Sequence, residues 1–176
     1  MVRTAWASPA TVRRLACPYC GHRMPLDEPG MVAAQAAWGF CGAVATGEDG
    51  VLGVLLLAPP TDETLSGPVR VSAAWVRDDT CGHGVGRSLV RTVADGLVGA
   101  RAGALVATVE PPRGCGTLPA GFLRATGFVP VEWPLWRLDL ATAVRPAKHP
   151  VISTLERLVQ AVRPVAPPEP ARRSAS

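Results

Sequence analysis

Apolar and polar positions along this chain change period several times, and each change marks an element. Val2 to Trp6 reads as a first strand, and Ser8-Pro9 supplies an N-cap and a proline at the first helical position, predicting a short helix to about Ala16. Cys17 to Gly30, broken by Pro18, Pro25, Pro29 and two glycines, reads as irregular, and a second helix is predicted over Met31 to Trp38. Phe40 to Thr46 and Val51 to Leu57 flank Gly47-Glu48-Asp49-Gly50, a hairpin signal. Pro59 to Pro68 is a polar loop, and the valine-rich run Val69 to Val76 is a buried strand.

A glycine-punctuated turn follows, and then a helix from near Gly86 to about Ala100 with Leu89, Val90, Val93, Leu97 and Val98 on one face. Ala104 to Val109 is an apolar strand, as expected for a parallel pair covered on both sides. Pro111 to Gly116 is a loop; Thr117 is the expected cap of a helix from Leu118 to Thr126, ended by Gly127 in the left-handed region. Val129 to Val131 and Leu135 to Leu140 close the pattern as two strands. The order is that of a mixed α/β domain over residues 1–144, and the strands ending at Val76 and Val109 would part at their C-terminal ends, where open α/β sheets form ligand clefts. Residues 145–163 carry an amphipathic helix opened by Pro150, with Val151, Leu155, Leu158 and Val162 on one stripe; the proline-rich residues 164–176 read as a disordered tail.

Length and charge narrow the partners. A chain of 176 residues suits one domain with a sizeable core. The longest apolar run, Val51 to Ala58, is too short to span a bilayer, and the start Met1-Val2-Arg3-Thr4-Ala5-Trp6 lacks the apolar stretch of a secretory signal, so a cytoplasmic location is expected. The net charge is +4, and because residues 1–144 hold twelve arginines and twelve carboxylates, the whole excess lies in the last part of the chain. Interrupted by prolines and without interleaved aromatic residues, that excess is a solvated tail and not a nucleic-acid footprint.

The candidate chemistry centres on Cys81-Gly82-His83-Gly84-Val85-Gly86-Arg87. Strand, glycine turn and helix in succession present backbone N–H groups to a phosphate, and the helix start adds its unpaired amides and positive dipole end. Trp75-Val76-Arg77-Asp78-Asp79-Thr80-Cys81-Gly82-His83-Gly84-Val85-Gly86 resembles the acyl-CoA-binding motif of the GNAT acyltransferases, a strand ending in valine, about five residues, then Gln/Arg-x-x-Gly-x-Gly/Ala. About forty residues later, Gly121-Phe122-Leu123-Arg124-Ala125-Thr126-Gly127-Phe128 looks like the second signature of that superfamily, a short helix closed by Gly-Phe. The resemblance runs from roughly Val2 to Leu140 and, within the superfamily, is to actinobacterial-type members with a Cys-x-x-Cys pair near the N-terminus.

The resemblance implies a GNAT-like mixed, mostly antiparallel sheet with one splayed parallel strand pair, flanked by helices. It implies transfer of an acetyl or short acyl group from acetyl-CoA (acyl-CoA) to a small-molecule or peptide amine by direct attack; the sequence leaves an oligomer open. Gly82, His83, Gly84, Val85, Gly86 and Arg87 would hold the pyrophosphate, Trp75 and Val76 would pair their backbone with the pantetheine arm, and the Val76 N–H would face the thioester oxygen. Cys81 stands where the motif has Gln or Arg, and Leu123 stands where a tyrosine acid is usual. A thiolate with a pKa of about 8.5 leaves without a proton, and Cys115 is the candidate replacement donor. Glu110, the only acidic residue between Asp95 and Glu132, is the candidate base. The two departures favour, as the alternative, a non-catalytic GNAT-like module that senses CoA or binds a partner, in one form stapled by zinc.

Cys17-Pro18-Tyr19-Cys20 matches the redox site of glutaredoxins, but that chemistry needs a long helix after the first cysteine, and Gly21 and Pro25 preclude one. The pair is also a zinc knuckle that His22, Cys41 or Cys115 would complete; with no second knuckle, the spacing is half a signal. The remaining reading is two loop cysteines beside the cleft.

Overall fold

The computed structural model describes residues 1–60, 67–109 and 115–143. The helix expected at 145–163, the tail at 164–176 and Glu110 lie outside the described residues. Seven strands form one sheet: β1 (Arg3–Ala7), β2 (Gly42–Gly47), β3 (Gly50–Ala58), β4 (Val69–Val76), β5 (Ala104–Thr108), β6 (Val129–Glu132) and β7 (Leu135–Asp139), in spatial order β1-β2-β3-β4-β5-β7-β6. All neighbours run antiparallel except β4 and β5, which run parallel. This is the mixed sheet with one parallel pair that the pattern of elements implies.

The helices are α1 (Pro9–Val12), α2 (Glu28–Trp38), α3 (Val85–Gly99), α4 (Ala120–Ala125) and α5 (Leu140–Ala143). Helix α3 turns Val85, Leu89, Val90, Val93, Ala94 and Leu97 to the sheet, close to the predicted stripe, with Val98 only half-buried. A Cβ on Gly53 would meet Leu89 of α3, whereas one on Gly30 of α2 would meet Ala58. Strand side chains alternate, so residues 53 and 58 of β3 point to opposite faces and the two helices sandwich the strand. That is why β3 is buried continuously from Leu52 to Ala58.

Four expectations are corrected. Helix α1 ends at Val12, short of Ala16, because Leu15 accepts from the Met24 N–H at 2.9 Å and Ala16 bridges Arg23, closing residues 15–24 into a small hairpin. The stretch Cys17 to Gly30 is therefore not irregular throughout. Helix α2 begins at Glu28, earlier than Met31: Asp27 accepts from the Gly30 N–H at 2.8 Å, and Pro29, read as loop punctuation, sits in the first turn where proline is tolerated. Helix α4 begins at Ala120 with Pro119 as its cap; Leu118 is drawn away because its N–H donates to the Thr108 carbonyl at 3.0 Å, so Thr117 is not the cap. Gly127 does close it at φ +91°.

Candidate active site

Strands β4 and β5 pair only at Val69–Leu105 and Arg70–Val106, and then diverge. The divergence coincides with a bulge: Leu57 opposes Val71 and Leu56 opposes Ala73, leaving Ser72 without a partner on β3. Such an extra residue bends and twists its strand. Beyond it the peptide groups of β4 face alternately to β3 and to the gap. The Arg77 N–H donates to Leu52 O at 2.9 Å on the β3 side, so Ala74 and Val76 face the gap, while Trp75 directs its backbone to β3. Trp75 thus does not turn its main chain toward the gap; Ala74, not singled out from sequence, and Val76 do. The Trp75 side chain is buried, and its indole N–H has no acceptor among the described residues.

At the mouth of the gap the chain makes a 3₁₀ turn, Asp78–Thr80, and then passes through Gly82 (φ +80°) and Gly84 (φ +83°) into α3. Gly84 caps α3 without any side-chain bond, and no described residue accepts from the N–H groups of Gly82, Gly84, Val85, Gly86 or Arg87. The amide of His83 is taken by Thr80 O at 3.3 Å, and its Nδ1 lies 3.1 Å from Cys81 O, so His83 closes the turn on itself. Among the described residues, none beyond their chain neighbours lies within 4 Å of where a side chain would project from Gly82 or Gly84. Gly86 differs: a Cβ there would lie 2.7 Å from the Phe122 ring, so its bare Cα admits α4 against α3 and ties the two signature segments together. Arg87 is exposed at the third position of the helix, and Val85 is buried beneath it. Arg77 is paired with Asp79, its Nε 3.1 Å from Oδ1, which holds the guanidinium pKa above its ordinary value through the carboxylate hydrogen bond.

The sole tyrosine enters this site from an unexpected direction. The hairpin over residues 15–24 lays Tyr19 across the end of β4, where its hydroxyl donates to Val76 O or to Asp78 Oδ1, the latter at 3.1 Å. Burial, followed by the Asp78 hydrogen bond, pushes its pKa up to about 12. It therefore stays protonated across the working pH range and serves as a hydrogen-bond donor. At the usual tyrosine position, Leu123 is fully buried and faces the core instead.

Cys115 is also in the gap, through its backbone: its carbonyl accepts from Ala74 N–H at 2.6 Å. Its thiol is buried, 3.4 Å from Cys20 Sγ, and burial pushes its pKa up to about 12, which removes the ready proton donor expected of it. Cys17, Cys20 and Cys115 bring their sulfurs within 4.8 Å of one another. The Cys20 pKa falls to about 6, chiefly through the His22 backbone N–H and then its ring, whose Nδ1 lies 3.1 Å away. Cys41, a possible fourth knuckle ligand from sequence, is buried elsewhere, its thiol donating to Ala7 O at 3.1 Å.

No family model matches this sequence, and no curated protein does. Its fold, however, is shared with solved GNAT acetyltransferases. The Salmonella typhimurium protein yncA, solved with its cofactor acetyl-CoA, is similar at TM-score 0.56 and 16% identity, over 84% of this chain and 99% of that one. The ribosomal-protein-S18-alanine N-acetyltransferase from Escherichia coli is similar at TM-score 0.55 and 13% identity, over 85% and 100%. A GNAT family acetyltransferase from Brucella melitensis in complex with acetyl-CoA is similar at TM-score 0.52 and 20% identity, over 79% and 88%. At these identities the likeness defines the fold. No helix among the described residues is long and apolar enough to cross a membrane.

Proposed function

We propose that this protein binds acyl-CoA and transfers an acetyl or other short acyl group to a small-molecule or peptide amine. The observation that carries the reading is the row of amides without a partner among the described residues, Gly82 and Gly84 to Arg87, at the mouth of the β4–β5 gap. Amides at a helix start bind phosphate through direct hydrogen bonds and the dipole. The pantetheine arm then lies along Val76, whose N–H faces the gap and would take the thioester oxygen as negative charge develops on it. Tyr19, already at the end of β4, would turn its one O–H from Val76 O to the departing thiolate, in place of the tyrosine absent at position 123. Glu110, next in sequence after Val109, is the base assigned to the amine.

The test is release of free CoA from acetyl-CoA across a panel of amines and peptide N-termini. Turnover that depends on the amine is the expected result, and Tyr19→Phe should lower kcat about 10²-fold or more with CoA affinity kept. An unchanged rate in that variant would remove Tyr19 from the mechanism.

One observation favours a second reading, a module that holds CoA without turnover. Ala74 N–H and Val76 O, two of the groups β4 offers to a ligand, are already engaged by Cys115 O and Tyr19. Retained CoA with no amine-dependent release would select it.

A further inference from the structure

We propose that Cys17, Cys20 and Cys115, with His22, form a zinc site that staples the N-terminal hairpin to the segment entering α4. Two of the thiols come from one turn and the third from a segment 95 residues away from Cys20, yet all three sulfurs lie within 4.8 Å of one another, with Cys20 and Cys115 at 3.4 Å. A tetrahedral zinc with Zn–S of about 2.3 Å needs sulfurs about 3.8 Å apart, so the cluster is already at coordination scale. A disulfide needs about 2.05 Å between two sulfurs and gives no reason for the third.

The hairpin is built as a ligand turn. Cys17 N–H donates to His22 O at 2.8 Å and Gly21 N–H to Cys17 O at 2.9 Å, with Gly21 at φ +69°, so the backbone closes tightly around the two cysteines. The exposed His22 ring touches one member of the cluster, its Nδ1 3.1 Å from Cys20 Sγ, which makes it the proposed fourth ligand to the three sulfurs. Cys17 and Cys115 are buried, so the metal would be shielded on the core side.

Binding displaces the thiol protons to solvent and leaves zinc's oxidation state unchanged. The staple would hold Tyr19 against β4 and the Cys115 carbonyl on Ala74. It stands independently of acyl transfer, because metal content is read on the protein alone.

The full chain, expressed with added zinc and purified without chelator, should carry one zinc per chain by elemental analysis and native mass spectrometry. Cys17→Ser, Cys20→Ser and Cys115→Ser should each lose it, whereas Cys41→Ser and Cys81→Ser should keep it. His22→Ala should weaken zinc binding by about 10–100-fold or more. Where a serine variant does not fold, cobalt(II) added to the metal-stripped wild type decides. Thiolate-to-cobalt charge transfer and intense tetrahedral d–d bands support the site. Failure of the wild type to hold zinc and to take up either metal overturns it. So does a Cys20–Cys115 disulfide found in their place, and unchanged affinity in His22→Ala removes the histidine from the ligand set.

Discussion

Gly84→Asp should weaken CoA binding by about 100-fold or more while the protein stays folded. Gly84 sits at φ +83° with open space where a Cβ would project, and it begins the row of free amides that leads into α3. Aspartate is among the residues that tolerate the left-handed region, so the fold loses only about 1–2 kcal/mol. The carboxylate would occupy the ground a diphosphate needs and repel it, and a loss of about 2.8 kcal/mol is 100-fold in affinity. Isothermal titration with CoA against wild type and variant, with the melting curve recorded beside it, checks both halves. Affinity within threefold of wild type would mean that the phosphates bind elsewhere.

The second large effect is on folding. Gly42→Ala should destabilise the protein by about 3–5 kcal/mol, the sum of about 1–3 for the strained φ and about 1–3 for overpacking. Gly42 lies at φ +150°, and a Cβ there would sit 2.1 Å from Leu55 O and 2.9 Å from Leu56 Cα. Both obstacles are backbone of β3, the strand held between α2 and α3, so neither can rotate aside. For a chain of this size the melting temperature should fall by about 10 °C or more, by circular dichroism. A shift under 2 °C would mean that β2 does not meet β3 in this register.

Strand β4, helix α3 and the hairpin across Glu48-Asp49 were legible because their signals are local: alternation, a one-sided apolar stripe, and glycines flanking a polar pair. The splay was legible from the order of elements, but its cause was not, since the bulge at Ser72 leaves no mark in hydropathy. Tyr19 was not legible as a site residue, because its reach to Val76 depends on the Leu15–Met24 hydrogen bond closing a hairpin from a proline-broken segment. The approach of Cys20 to Cys115 is likewise a tertiary fact, although the Cys-x-x-Cys spacing marked half of it. Gly86 shows the converse: the glycine was legible, but its reason, the Phe122 ring, came from an element more than thirty residues away. The carbonyl of Cys115 on Ala74 has no side-chain signature at all, so the sequence points only to that residue's thiol.

The central claim is that main-chain amides at the start of α3 receive the diphosphate of CoA. Amide resonances of ¹⁵N-labelled protein, followed while CoA and then phosphate-free pantetheine are added, test it most directly. CoA should shift Gly82, Gly84, Val85, Gly86 and Arg87 together and saturably, and pantetheine should leave them in place. If those five stay still while CoA binds, or move equally with pantetheine, the diphosphate is not held there.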